Sequence, residues 1–260
     1  MAISLKDVLK GGVSVPPRIL LYGVEGIGKT TFGANAPSPF LLQTEDGLGL
    51  LDVPTSGLCK SHAEVLGWLS ALATEEHEYK TLVVDSLDWL QDLIWAQTLI
   101  DNPTDEKGRP VANIEDYGFG KGFGLAQAVW DNFIAALNYL RDAKGMTVIL
   151  IAHTEVRKFN DPTSEPYDRF SVKLHKAANA KLREWSDCVL FANYRVATTS
   201  SEEGFGKKKV RAIGSGERLL FTEERPSHYA KNRYALPAEL PLDWRTLSSA
   251  IPFLNLNKDK

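Results

Sequence analysis

Long hydrophobic runs are missing from this chain of 260 residues. No apolar stretch approaches the ~18 residues that a membrane-spanning helix needs. Cysteine is nearly missing too. Cys59 and Cys188 stand far apart with no C-x-x-C pair, which excludes a disulfide framework and fits two buried thiols in a reducing compartment. The five histidines show no metal-ligand spacing, so a zinc site is not expected. Neither charge sign dominates: 30 Lys and Arg face 33 Asp and Glu, for a net charge of −3. A basic coat for nucleic acid is thereby excluded, although local basic loops are not. There is no repeat and no low-complexity tract. Met1–Lys10 mixes Lys6, Asp7 and Lys10 in a short amphipathic stretch rather than a leader.

What is present is concentrated near the N-terminus. Gly23-Val24-Glu25-Gly26-Ile27-Gly28-Lys29-Thr30 reads G-x-x-x-x-G-K-T, the phosphate-binding P-loop. The apolar run Arg18–Tyr22 before it reads as a buried strand, and Thr30–Ala36 after it reads as a helix stopped by Pro37. The spacing serves a chemistry. Glycines let backbone N–H groups wrap phosphates, and the helix N-terminus adds partial positive charge. Lys29 is expected on the β- and γ-phosphates, Thr30 on Mg²⁺, and Thr31 in the same cradle. ATP and Mg²⁺ are the expected cofactors.

Strand and helix patterns alternate along the chain, which predicts an α/β fold with a mostly parallel sheet covered on both faces. Strands are expected at Pro39–Thr44, Thr81–Asp85, Met146–Ala152 and Cys188–Phe191, and helices at Ser61–Thr74, Ser86–Ile100, Leu125–Ala143 and Leu174–Trp185. Ser61 with Glu64 predicts a capping box. Irregular breaks are expected at Asp101–Gly122 and His153–Phe170. Asn193–Phe221 reads as antiparallel strands joined through Ser200–Gly206, and a short helix closes the chain near Trp244–Ala250. The expected division is an N-terminal segment at 1–15, one ATPase domain at 16–250 and a flexible tail at 251–260.

Several residues beyond the P-loop carry chemistry. Asp85 ends an apolar strand, where a carboxylate would hold the metal's water shell; the plainer role is a helix N-cap. Glu45 follows the second strand, on the face that the P-loop shares, and is the first candidate to deprotonate an attacking water, with Asp46 the fallback. His153 ends another central strand and is a candidate sensor of the γ-phosphate. Lys231 and Arg233 form a K-x-R pair able to neutralise charge across a subunit boundary. In the two breaks, Phe119, Lys121 and Phe123, then Arg157 and Lys158, interleave rings and cations as single-stranded nucleic acid requires, and Lys207-Lys208-Lys209 with Arg211 adds charge.

The order of these parts resembles the RecA-type core: P-loop, Glu45, Thr81-Leu82-Val83-Val84-Asp85-Ser86, a loop, a helix, Val148-Ile149-Leu150-Ile151-Ala152-His153 and a second loop. Over Pro16–Pro237 the chain resembles the phage-encoded, core-only RecA-like recombinases, the ATP-dependent single-strand annealing proteins. That resemblance implies a DNA-stimulated ATPase promoting annealing and homologous recombination in the cytoplasm of a bacterial host. It implies a homo-oligomer, ring or filament, with the nucleotide between subunits, single-stranded DNA on loops at about 103–123 and 154–171, and a single-strand binding protein as a further partner. Glu45 takes the water-activating role, and His153 stands where the family usually has glutamine. A helicase-type or loader motor on the same core is the nearest alternative. A P-loop small-molecule kinase and a nucleotide-switched binding module are more distant ones.

Overall fold

A computed structural model describes residues 14–203 and 207–256, with backbone alone at 197–203, 207–215 and 256. In chain order the elements are β1 (Arg18–Gly23), α1 (Lys29–Ala34), β2 (Pro39–Gln43), β3 (Thr55–Leu58), α2 (His62–Thr74), β4 (Thr81–Asp85), α3 (Leu87–Asp101), α4 (Lys121–Lys144), β5 (Thr147–Phe159), β6 (Tyr167–Val172), α5 (Lys176–Trp185), β7 (Cys188–Glu203), β8 (Lys207–Phe221), β9 (Lys231–Asn232), β10 (Glu239–Pro241), α6 (Trp244–Ala250) and α7 (Pro252–Leu256).

The central sheet is ordered β10-β8-β7-β1-β5-β4-β2-β3. β7, β1, β5, β4, β2 and β3 run parallel, while β8, β10 and β9 join antiparallel on the β7 side. Parallel strands covered on both faces must be apolar on both faces. β1 shows the result: Leu20 and Tyr22 enter one core with α2 to α5, and Ile19 and Leu21 enter the other with α1, α6 and α7. Asp85 faces Ile151 in register, and Gly23 faces His153, so the carboxyl ends of β1, β5, β4 and β2 form one rim.

Helix starts follow local chemistry. Ser61 Oγ accepts the N–H of Glu64 at 3.2 Å, and the Glu64 carboxylate accepts the N–H of Lys60 at 2.7 Å rather than that of Ser61. α4 begins four residues before the expected Leu125, so the glycine-rich stretch is its first turn. Gly122 is required there, because a Cβ would lie 2.0 Å from the carbonyl oxygen of Ile114.

The expected irregular break at His153–Phe170 is instead largely a β-hairpin. β5 continues past Ala152 to Phe159 and pairs with β6, from Thr154 against Val172 to Phe159 against Tyr167. The apolar run ends at Ala152 because the strand there leaves the covered sheet, not because the strand stops. β3 was not expected; Thr55-Ser56-Gly57-Leu58 is an edge strand of low apolar content. Beyond 250, α7 buries Leu254 in the second core. The expectations for residues 1–13, Gly204–Gly206 and 257–260 lie outside the described residues, as do the side chains of Lys207, Lys208, Lys209 and Arg211.

Candidate nucleotide site

The turn from Gly23 to Gly28 joins β1 to α1. Gly28 takes φ of 105° at the helix N-cap, a conformation that disfavours any residue with a Cβ. Ile27 anchors the turn in the second core, Val24 packs against it, and Glu25 and Gly26 are exposed. Arg218, from β8, donates to the Ile27 carbonyl at 3.3 Å and braces the turn from outside.

Lys29 is buried, and its Nζ donates to the carbonyls of Gly23 at 3.1 Å and Val24 at 3.0 Å. Burial lowers its pKa, while Asp85, Asp88 and Glu45 work the other way. Thr30 Oγ1 donates to Asp85 Oδ2 at 2.6 Å. Burial pushes the Asp85 carboxyl up, against the pull of that hydrogen bond. Thr30 and Asp85 are hard oxygen donors side by side. They suit Mg²⁺, which takes few protein ligands and completes its shell with water and phosphate oxygens. Among the described residues no group of three His, Cys, Asp or Glu offers a separate metal site.

Glu45 and His153 complete the rim. Ser86 Oγ donates to Glu45 Oε2 at 2.8 Å, and His153 Nδ1 lies 3.8 Å from the same oxygen. Asp88, at the start of α3, holds His153 twice: its carboxylate accepts the backbone N–H at 3.1 Å and lies 2.9 Å from Nδ1. The hydrogen bond to Asp88 raises the pKa of His153 despite burial. Burial acts to raise Asp88, but its bonds to His153 outweigh that and hold it below the usual carboxylate range. A cavity of about 530 Å³ opens against these groups, lined by Glu25, Gly26, Gly28, Lys29, Thr30, Thr31, Glu45, Asp85 and His153, with Trp89 and Lys173 beyond. Leu41, Leu48 and Leu51 line it as well, and the polar P-loop side suits a nucleotide phosphate chain.

The other expected site residues lie elsewhere. Lys231 and Arg233 sit at the opposite end of the sheet. Lys231 Nζ donates to the carbonyls of Arg183, Glu184 and Ser186 at 2.9, 2.9 and 2.7 Å, so it caps α5 within its own chain. Arg233, half exposed, pairs with Asp187 at 3.0 Å. Phe119 is fully exposed in the turn before α4, and Lys158 is exposed on the hairpin. Phe123 is not a free ring: it stacks on His175 with centroids 3.9 Å apart and meets Trp95 edge-on. Lys121 pairs with Glu106, and Arg157 binds Glu155 and the Leu174 carbonyl. Of the five expected DNA contacts, Phe119, Lys121 and Lys158 are exposed, Lys121 in a surface ion pair.

Asp88, Lys173 and Arg218 were missed from sequence. Asp88 had a signal in Asp85-Ser86-Leu87-Asp88, three residues beyond the carboxylate that ends β4. Lys173 and Arg218 had none, since the fold alone brings them to the rim.

The chain belongs to the AAA domain family, whose model matches residues 15–234. A comparison with curated proteins finds no match. Family, fold and cavity agree on an ATP-binding P-loop NTPase. No helix among the described residues is long and apolar enough to cross a membrane.

Proposed function

We propose that this chain is a Mg²⁺-dependent ATPase of the RecA type that binds single-stranded DNA and promotes annealing or recombination, working as a homo-oligomer with the nucleotide near a subunit boundary. The observation that carries the hydrolytic part is Glu45. Its carboxylate lies on the wall of the cavity that holds Lys29, Thr30 and Asp85, steered by Ser86 and flanked by the His153 ring. A carboxylate so placed accepts a proton from a water attacking the γ-phosphate. Lys29 neutralises phosphate charge. Thr30 and Asp85 would hold the metal, whose chemistry when bound is to draw charge off the phosphate oxygens. His153, clamped by Asp88, presents a fixed ring to the terminal phosphate.

The DNA part rests on the hairpin β5–β6. It grows from His153 without a break, carries Lys158 exposed near its tip, and shares the molecule's surface with the exposed ring of Phe119. Cations with an accessible ring support single-strand binding. Arg233 is the better of the two candidates for a role across a subunit boundary, because half of it is exposed whereas Lys231 is engaged by three carbonyls.

The test is steady-state ATP hydrolysis with and without single-stranded DNA, with Lys29→Ala as the blank. Strong stimulation is expected. Hydrolysis indifferent to DNA would contradict the reading, and phosphate transferred to a metabolite would replace it with a kinase.

A further inference from the structure

The hairpin β5–β6 has two feet, and both line the nucleotide cavity. His153 is the first, and Lys173, the residue after β6, is the second. They are tied together, since the Lys173 N–H donates to the His153 carbonyl at 2.9 Å. The backbone of Lys173 is therefore fixed by the rim while its side chain remains 56% exposed. Its Nζ lies 3.9 Å from Asp88 Oδ2, too far for a hydrogen bond, and that carboxylate is already engaged by the N–H and the ring of His153.

The charges around the cavity explain why a second cation belongs there. Glu25, Glu45 and Asp85 line it, and against them stand Lys29 and Lys173. A nucleoside triphosphate adds further negative charge, only part of which a divalent cation offsets. Lys29 comes from the P-loop and Lys173 from the hairpin foot, and Trp89 lines the same cavity. A lysine is a flexible point charge suited to follow a phosphate group.

We propose that Lys173 is a second phosphate-binding residue of the site, supplied by the same chain, which leaves Asp88 to contact the terminal phosphate of a nucleoside triphosphate. The inference rests on the ATPase reading above and deepens it. It adds to the site a cation from the hairpin foot of the same subunit, separate from the role proposed for Arg233 across a subunit boundary. It also gives the hairpin a direct link to the nucleotide: the Lys173 side chain contacts the ligand when the terminal phosphate is bound and does not when the diphosphate is.

The experiment measures ATP and ADP affinity in Mg²⁺ buffer by calorimetry, for the full chain, Lys173→Ala, Lys173→Arg and Lys29→Ala. Lys173→Ala is expected to weaken ATP about tenfold while leaving ADP unchanged, the size of one lost charge-assisted hydrogen bond. Lys173→Arg is expected to restore most of the difference. Lys29→Ala weakens both nucleotides. An unchanged ratio of ATP to ADP affinity in Lys173→Ala would overturn the inference, as would equal losses for the two nucleotides. A wild-type chain that binds neither nucleotide would overturn the ATPase reading itself, and the inference with it.

Discussion

The two ends of the parallel sheet are equally rich in charge and differ in what the charges face. At the amino-terminal end, Asp187 accepts from the backbone N–H of Arg18 at 3.1 Å, from its guanidinium at 3.1 and 2.8 Å, and from Arg233 at 3.0 Å. Arg141 stands 4.0 Å away, and Lys231 sits on three carbonyls. At the carboxyl end, Asp85, Glu45 and Asp88 are held by Thr30, Ser86 and His153, with cavity space in front of Lys29 and Glu45. The first arrangement closes on itself and ties strands and helices together. The second leaves charge turned toward a ligand. Charged residues alone do not mark a site; a cavity and incomplete mutual pairing do.

Residues at the two ends control different observables. Lys29→Ala, at the open end, is expected to lower ATP turnover by on the order of 10³-fold, the scale of a lost preorganised phosphate contact. Its urea midpoint should hold near the wild-type value, because the buried amine gives up solvation to sit there. A variant that unfolds instead would make the open end structural.

Asp187→Asn, at the closed end, is expected to cost about 3 kcal/mol in urea unfolding, since it leaves guanidiniums facing a neutral amide. Turnover per folded molecule should be unchanged. The same residue fixes a pH dependence. Burial works to raise the Asp187 pKa, but hydrogen bonds from Arg18 outweigh it and depress the folded value. Its contribution is therefore present above the ordinary aspartate value of about 3.9 and is lost as pH falls through the folded value. The stability gap between wild type and Asp187→Asn should be full at neutral pH and narrow below about pH 4. A gap independent of pH would break this assignment.

Arg233→Ala is the smallest in stability, below about 1 kcal/mol, because the pair is half exposed. It is also the sharpest probe of the comparison. If Arg233 acts on a neighbour's nucleotide, turnover falls at protein concentrations that favour assembly and is unchanged in dilute solution. Turnover unaffected at every concentration would leave the closed end purely architectural.

The centre of the site was legible because it is local. A P-loop occupies eight consecutive residues, Asp85 ends an apolar strand and Glu45 follows another, and a parallel sheet brings the ends of those strands to one rim. Residues positioned by neighbouring elements were harder. Phe123 reads as a loop ring in sequence, yet α4 starts early and turns it onto His175. Lys173 comes to the cavity only because β6 returns along an extension of β5 whose polar alternation hides it from an apolar-run reading. Lys231 illustrates the same limit in reverse, since a K-x-R pair shows nothing of the three carbonyls waiting at the end of α5.

The most direct test of the open end as a hydrolytic site is a single comparison: ATP turnover of Glu45→Gln beside its ATP affinity. The amide keeps the shape and the Ser86 contact but cannot take a proton. Turnover is expected to fall by about 10²–10⁴-fold with affinity held close to wild type. Turnover equal to wild type would remove Glu45 from the chemistry and contradict the account of this rim.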